Sequence, residues 1–342
     1  LYVSGKMTFA YEVHREPPAA YVLEMERTEL TLRPASGLYL SLGRQRFGDT
    51  AGLVASGLFD GADFSMKLGM SRLSLGLYYT GLLYKETANI LLTQGDRERY
   101  EKPLDADGFE GYFASRRMLM ALTADFPDLT SRTSLTAQAL AQVDVNDDSE
   151  KLHTQYLELR FGADPLDPLH LTLGGIGEFL QRPDEFRGSV AAFGGADWEV
   201  PGTLTDMLSA EALWTSGRSG EQIRAFTPVS GRNAGRVFDG GTGALMKTAL
   251  SYRVRPLGSV SLEAGGAYFI RTDLETLRDS ELDGDSDSRL LGGEVYGSLL
   301  WAPDPAFRFS MGGGAFFPKW GDAYREDAPV KWKVNVGMTL SL

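Results

Sequence analysis

The sequence contains no cysteine and only three histidines among its 342 residues. The lack of cysteine excludes disulfide scaffolds and thiolate metal sites. No stretch approaches the roughly 18 consecutive apolar residues that a membrane-spanning helix needs. The 34 Lys and Arg residues are outnumbered by 46 Asp and Glu residues, which gives a net charge of −12. Because nucleic-acid binding normally requires a basic surface, no nucleic-acid partner is expected.

The dominant pattern in the sequence is alternation with a period of two residues. Residues 330–342 alternate between apolar and polar along their whole length, and residues 169–174 and 260–264 do the same. A helix would scatter these apolar residues around its axis, whereas a strand places them on one face. The chain is therefore predicted to be all-β.

The predicted strands are about 10 to 14 residues long, which is the length of a tilted transmembrane strand. Short connections alternate with long ones, and all but one of the short ones contain proline, which belongs in turns. The short connections are residues 34–36, 69–72, 126–129, 164–168, 201–204, 255–258 and 303–306. The long connections are residues 14–20, 47–61, 85–111, 146–153, 182–188, 217–241, 273–289 and 319–329. The pattern predicts a single closed antiparallel transmembrane β-barrel over residues 1–342, with about 16 strands and periplasmic N- and C-termini.

The alternation also predicts which side chains face lipid. In a barrel of this size the apolar phase faces lipid and the polar phase faces a water-filled lumen. The predicted lipid face includes Val3, Met7, Phe9, Leu171, Leu173, Leu262, Val334, Val336, Met338 and Leu340. Tryptophan favours the headgroup level, so Trp198, Trp214, Trp301 and Trp332 are expected near the two interfaces.

The polar phase contains two sets of charged residues. A basic lumen wall is predicted at Lys6, Lys247, Arg253, Arg271, Arg308, Lys331 and Lys333. An acidic lumen wall is predicted at Glu158, Glu178, Asp197, Glu199 and Glu211. The separation is incomplete, because Arg160 lies in the acidic half and Glu263 and Glu294 lie in the basic half. Opposed walls would place a transverse field across a permeating solute; the alternative is that the charges hydrate the lumen and pair across strands.

Three of the predicted loops differ in composition from ordinary surface loops. Residues 47–61 are small and apolar, so they either fold inward as a constriction or pack outside on neighbouring loops; the candidate constriction residues are Asp49, Leu53, Phe59 and Asp60. Residues 217–241 contain four arginines, which would either attract anions or pair with lipopolysaccharide or another loop. Residues 273–289 are acidic. There, Asp283, Asp285 and Asp287 have the alternate spacing of a calcium loop but lack its closing glutamate, so a solvated loop is favoured and no metal or other cofactor is expected.

Two local resemblances add to these patterns. In residues 38–49 a predicted strand ends with Gly-Arg-Gln, and after a loop the next strand, in residues 58–64, begins with Asp-Gly. This arrangement resembles that of the porin-like barrels of the alginate-export and related channel families. This resemblance implies a channel but no particular solute. The pattern Asn335-x-Gly337-x-x-Leu340-x-Leu342 resembles the C-terminal signal that the barrel-assembly machinery recognises, with Leu342 in place of the usual aromatic residue.

The sequence thus predicts an outer-membrane porin-like channel for passive diffusion of small hydrophilic or charged solutes. Its expected partners are outer-membrane lipid, those solutes and, during assembly, the barrel-assembly machinery. A structural barrel that anchors an envelope complex is the alternative. A barrel hydrolase is not expected, because no nucleophile motif surrounds His14, His153 or His170. A hydrophobic-substrate transporter would have an N-terminal plug, and the first strand is predicted to begin at Leu1.

Overall fold

The computed structural model describes residues 2–11, 19–104, 111–147, 150–202, 205–220, 222–277 and 279–340, without the side chains of residues 2–11 and 19–23. Within these ranges, 16 β-strands form one antiparallel sheet in which each strand is hydrogen-bonded to the next in sequence. The strands are β1 (Tyr2–Tyr11), β2 (Ala19–Ala35), β3 (Leu38–Gly48), β4 (Ser56–Leu68), β5 (Ser71–Tyr79), β6 (Arg117–Thr130), β7 (Thr133–Asp144), β8 (His153–Leu166), β9 (Leu169–Arg182), β10 (Glu185–Val200), β11 (Thr205–Thr215), β12 (Leu245–Leu257), β13 (Val260–Arg271), β14 (Leu290–Asp304), β15 (Phe307–Phe317) and β16 (Lys331–Leu340). The helical segments are α1 (Lys85–Ala88), α2 (Gln94–Glu101) and a 3₁₀ turn (Pro318–Trp320).

The all-β antiparallel architecture predicted from alternation is confirmed. None of the helices in the described ranges is long and apolar enough to cross a membrane. One predicted long loop, residues 182–188, is wrong. Glu185 pairs with Arg182 across a turn of two residues, because β9 and β10 keep their register to the end and the intervening Pro183 and Asp184 suit a tight turn.

One face of the sheet is apolar and exposed. The exposed side chains include Leu171, Leu173, Leu262, Val334, Val336, Met338, Leu340, Trp198, Trp214, Trp301 and Trp332. The side chains of Val3, Met7 and Phe9 are not among those that the structure describes. An apolar surface of this extent is costly in water and favourable in lipid. The described side chains predicted to face lipid or to lie near its interfaces are therefore exposed, as the predicted phase requires.

The opposite, inner face is partly filled by two apolar clusters near the long connections. The first inner cluster includes Phe47, Phe59, Tyr78, Leu119, Leu140, Tyr156 and Phe226. The second inner cluster includes Phe238, Leu245, Phe269, Leu291, Phe316 and Tyr324. Each cluster buries aromatic rings against one another, as in the stacked pair Phe238 and Phe269, whose centroids lie 4.4 Å apart. The inner face is thus apolar at one end of the sheet and polar elsewhere.

Candidate functional site

Two loops fold onto the inner face and meet there. Loop 49–55 connects β3 to β4, and loop 216–244 connects β11 to β12. The backbone N–H groups of Val229 and Ser230 donate to the carbonyl of Val54, at 2.7 and 3.2 Å. Thr50 Oγ1 donates to Glu158 Oε2 on β8 at 2.8 Å. These contacts fix both loops against the sheet rather than outside it.

Loop 49–55 is organised around the carboxylate of Asp49. This carboxylate accepts the N–H groups of Leu53, Val54 and Ala55 at 2.9, 3.0 and 2.7 Å. Val54 and Ala55 are fully buried against the first inner cluster, which accounts for the small apolar composition of this loop. Leu53 packs at the edge of the same cluster.

Two candidate constriction residues lie outside this loop. The pairing of β3 with β4 extends to Gly48 and Ser56, so Phe59 and Asp60 are strand residues. Phe59 belongs to the first inner cluster. Asp60 forms an ion pair with Arg44 at 2.8 Å. The loop is therefore shorter than the predicted residues 47–61.

Loop 216–244 crosses the inner face from β9 to β14. Near its start, Thr227 N donates to Glu178 Oε2 at 2.9 Å, and Phe226 lies among the first inner cluster. Near its end, Phe238 lies in the second inner cluster. Glu294 on β14 accepts the N–H groups of three successive loop residues there, at 2.9 Å each. The loop is thus attached at two distant strands.

The predicted acidic residues occupy several different environments. Glu158 and Glu178 are buried, with 0% and 1% exposure, and bond to the two inward loops. Asp197 accepts a hydrogen bond from Ser209 Oγ at 2.6 Å. Glu211 lies 3.6 Å from Lys247, and Glu199 is exposed at the short-turn end. Two of the five predicted acidic residues are therefore enclosed by loops.

Most of the predicted basic residues that the structure describes also have specific partners. Arg253 pairs with Glu263 at 3.2 Å. Arg271 is buried and donates to backbone carbonyls of residues 286 and 288. Lys331 pairs with Asp279, Glu281 and Asp239 at 2.9, 3.2 and 3.6 Å, respectively. Arg308 and Lys333 are exposed. The side chain of Lys6 is one of those that the structure does not describe. Positive and negative groups are thus interleaved at these positions rather than separated.

Below the inward loops lies a cavity of about 680 Å³. Strands β8 to β14 and both inward loops line it. Its cationic side chains are Arg160, Arg232, Arg236, Lys247 and Arg253, and its carboxylates are Asp197, Glu211, Glu263 and Glu294. The cavity is therefore polar, charged and large enough for a small hydrated solute.

Arg160 and Arg232 differ from the other cations of the cavity. Arg160 donates to the carbonyl of Thr50 at 3.3 Å, and Arg232 donates to the carbonyl of Gly52 at 3.0 Å. Neither forms an ion pair with a described carboxylate, and both are exposed to the cavity. The alternation in the sequence predicts Arg160 on the inner face. Its contact with loop 49–55 depends on the conformation of that loop, which no local sequence pattern predicts.

A buried ion-pair network holds the helical connection between β5 and β6. Arg117 is fully buried and pairs with Asp96 of α2 at 2.6 Å and with Asp144 of β7 at 2.7 Å. Burial alone raises the pKa of Asp96, but the hydrogen bond and charge of Arg117 outweigh it, so the pKa lies below the ordinary value of 3.8. Asp96 also accepts the N–H of Thr93, while the hydroxyl of Thr93 accepts the N–H of Asp96, and these two bonds form a capping box at the start of α2.

The histidines do not form a recognisable hydrolase site in the described part of the chain. His153 Nδ1 accepts the N–H of Asp144 at 3.1 Å. His170 Nδ1 lies 2.7 Å from Asp164 Oδ1, and the hydroxyl of Thr172 is 3.4 Å from the other ring nitrogen. That separation exceeds the contact by which a base activates a nucleophile, about 2.6–3.2 Å. His14 lies outside the described residues.

The alternate carboxylates of the acidic loop are not arranged as a calcium site. Asp283 Oδ1 accepts the N–H of Asp285 at 3.0 Å, so this carboxylate closes a local turn. Among the described residues, no group of three or more acidic, histidine or cysteine side chains is arranged to hold a metal ion. Asp285 and Asp287 are exposed to solvent.

No family model matches the sequence, and no curated protein matches it either. Solved structures do match. OccK5 (OpdH) of Pseudomonas aeruginosa has a TM-score of 0.58 at 12% identity, covering 99% of this chain and 86% of that chain. OccK2 (OpdF) of the same organism, in complex with glucuronate, has a TM-score of 0.58 at 12% identity, covering 96% and 83%. OccK11 (OpdR) has a TM-score of 0.56 at 12% identity, covering 95% and 84%.

These three proteins are outer-membrane porins. The similarity extends over nearly the whole of this chain and most of each of theirs, although few residues are identical. The narrower resemblance to alginate-export channels stays a prediction. The sheet and its inward loops therefore have the fold of an outer-membrane porin.

Proposed function

We propose that the chain is a bacterial outer-membrane channel through which small hydrophilic or charged solutes diffuse passively. The observation that supports this most directly is the charged cavity of about 680 Å³ beneath the two inward loops. A barrel of about 16 strands is too wide for side chains alone to fill, so its polar interior holds water. The cavity is then one section of a continuous aqueous path, and loops 49–55 and 216–244 narrow that path.

In this proposal β1 pairs with β16, and residues 1–342 form a single closed barrel. Closure removes the two unpaired sheet edges, which would be costly in a bilayer because lipid offers no hydrogen-bond partner. The seven connections predicted to be short lie at one end of the sheet and face the periplasm, together with both termini. The exposed apolar face then lies against outer-membrane lipid, with its tryptophans near the headgroups.

Assembly of this barrel is assigned to the barrel-assembly machinery. Asn335, Gly337 and Leu340 lie on β16, the strand that such a signal would occupy. Leu342 lies outside the described residues.

The solutes are proposed to be small anions, in particular carboxylates. Arg160 and Arg232 are positive, exposed to the cavity and not offset by a described ion pair. A cation in such a position attracts negatively charged solutes and repels positive ones. Glucuronate, bound by the similar channel OccK2, is a small carboxylate of this kind.

Conductance of the purified protein in a planar bilayer tests the proposal. We expect discrete channels whose reversal potential in a salt gradient lies on the anion-selective side. Arg232→Gln should move the reversal potential toward cation selectivity, whereas Arg325→Gln, on an exposed outer loop, should leave it unchanged. Absence of conductance from a correctly folded barrel would favour the alternative, a structural barrel that anchors an envelope complex.

A further inference from the structure

Glu294 occupies an unusual position for a carboxylate on the inner face. It lies on β14 with 1% exposure, and it is surrounded by loop 216–244 rather than by solvent. Its Oε1 atom accepts Arg236 N at 2.9 Å. Its Oε2 atom accepts both Val237 N and Phe238 N, also at 2.9 Å. Three successive backbone N–H groups thus converge on one side chain, which is the geometry of an anion-binding concavity.

The loop backbone is shaped to fit this carboxylate. Gly235 N donates to the carbonyl of Phe238 at 3.2 Å and closes the turn that aligns the three N–H groups. A Cβ atom at position 235 would lie 2.5 Å from Glu294 Oε2 and 2.7 Å from Phe238 Cβ. Only glycine therefore allows the loop to approach Glu294 this closely.

The side chains that follow Gly235 depend on the same attachment. Phe238 packs against Phe269 and Phe316, with ring centroids 4.4 and 5.1 Å apart, so it anchors the loop to the wall. Arg236 instead extends into the cavity, where it lies 3.2 Å from Glu263 and over the ring of Tyr296. The position of Arg236 in the cavity is thus set by the backbone that Glu294 holds.

We infer that Glu294 is a positioning residue for the channel: it clamps loop 216–244 across the inner face and thereby fixes Arg236 and the width of the aqueous path. This inference rests on the proposed channel function. Glu294 is unlike Glu211, which is mostly exposed and adds charge to the cavity. Removing the carboxylate of Glu294 would release a loop, whereas removing that of Glu211 would change only a charge.

Two independent substitutions should release the clamp. In Glu294→Gln the amide keeps only one acceptor oxygen, so its NH₂ group faces at least one of the three N–H donors. Gly235→Ala leaves every charge unchanged and pushes the loop away through its new methyl group. The matched controls are Glu211→Gln, which removes one carboxylate from the same cavity, and Gly241→Ala, whose Cβ would meet nothing within 4 Å. Glu294→Asp keeps the charge and should restore part of the attachment.

Amide hydrogen exchange of residues 234–240 tests the clamp without reference to conductance. We expect exchange at residues 236–238 to rise by about tenfold in Glu294→Gln and Gly235→Ala, which is the change expected for loss of one charge-assisted hydrogen bond. The two controls should exchange like the wild type. Unchanged exchange in both clamp variants, each shown to be folded by its heat-dependent electrophoretic shift, would overturn the inference.

Single-channel recording tests the consequence for the path. We expect frequent open–closed transitions and a broadened open-state current in the two clamp variants, with wild-type gating in Gly241→Ala and only a shifted reversal potential in Glu211→Gln. Faster exchange with unchanged single-channel currents would show that the loop does not define the path, which overturns the positioning role while leaving the channel function intact. A wild-type protein that does not conduct would instead overturn the proposed function, and the exchange data would still decide whether Glu294 holds the loop.

Discussion

Lys247 Nζ on β12 lies 3.6 Å from Glu211 Oε2 on β11, and both groups line the cavity. The sequence patterns placed these two residues in opposite walls, one basic and one acidic. Their proximity means that each offsets much of the other's field on a passing ion. The net effect of the cavity on ions therefore depends on the cations that have no such partner.

Removal of Arg160 should change ion selectivity more than removal of the Lys247–Glu211 pair. Arg160 bonds to a backbone carbonyl of loop 49–55, so its positive charge is not offset by that contact. Lys247→Gln alone would leave Glu211 without its counter-ion, so the matched control is the double variant Glu211→Gln/Lys247→Gln, which removes two opposite charges. We expect Arg160→Gln to shift the reversal potential in a salt gradient further toward cation selectivity than this double variant. Equal shifts would show that local pairing does not control the field in the cavity.

Replacement of Lys331 should loosen two loops rather than simply change selectivity. Its ammonium lies within 4 Å of Asp239, Asp279 and Glu281, which belong to two different loops. In Lys331→Gln these carboxylates lose their common counter-ion and repel one another. We expect faster proteolytic nicking between residues 273 and 289, and no such change in Lys319→Gln, whose side chain is exposed. Identical nicking rates would remove Lys331 from the attachment of these loops.

Lys333 is the better probe of the basic wall predicted from the sequence. It lies two residues further along the same inner phase of β16 and is exposed. The predicted basic wall includes Lys6, Arg308, Lys331 and Lys333, and in the structure Lys331 has its own carboxylate partners. The predicted effect of the basic wall on ion selectivity therefore depends on Arg308 and Lys333.

The strand pattern was predictable from sequence because its cause is local. Alternation is a property of each strand by itself, so β16 and β13 could be assigned, with their exposed faces, from residues 330–342 and 260–264. Proline turns and loop composition are local as well, and they predicted the long connections near residues 146–153, 217–241, 273–289 and 319–329. Residues 182–188 contain a tight turn instead, and loop 49–55 is shorter than predicted. Most of residues 14–20 and part of residues 85–111 lie outside the described residues.

The function of individual inner-face residues was not predictable in the same way. Thr50 and Glu158 are separated by 108 positions, and nothing near Glu158 shows that a loop from β3 covers it. Phe47 and Phe59 point to the inner face, where polar residues were expected, because loop 49–55 gives them an apolar partner. Whether an inner-face residue meets water or a folded loop is decided by such long-range contacts.

Substitution of Asp49 should destabilise loop 49–55 without affecting the strands. The carboxylate satisfies several buried N–H groups of its own loop, and Asp49→Asn leaves it one acceptor oxygen and introduces an NH₂ group. The cost of leaving a buried donor unpaired is about 1–3 kcal/mol. We expect faster amide exchange at residues 51–55, with wild-type exchange in Asp128→Asn at an exposed position of β6. Full protection of this loop in Asp49→Asn would show that its burial against the first inner cluster suffices.

The attachment of α2 should weaken in acid because of Asp96. The pKa of this buried carboxyl lies below 3.8 in the folded protein, since the hydrogen bond and charge of Arg117 outweigh the effect of burial. A carboxyl whose pKa is lowered by folding stabilises the folded state fully above its unfolded pKa, and this contribution is lost as the pH falls through the folded value. Attachment of α2 should therefore be independent of pH above about 5 and should decline below about 3.8.

Amide exchange of residues 94–101, corrected for the intrinsic effect of pH on exchange, measures this attachment. In Asp96→Asn the buried Arg117 loses one of its two carboxylate partners, at a cost of about 3 kcal/mol. This variant should therefore exchange quickly already at neutral pH, with little further change in acid. The control is Asp147→Asn, because Asp147 forms only an exposed ion pair with Arg116 at 3.3 Å, and such pairs contribute little. If the wild type and Asp96→Asn lost protection in parallel between pH 5 and 3, the acid sensitivity would belong to another group and not to the Asp96–Arg117 pair.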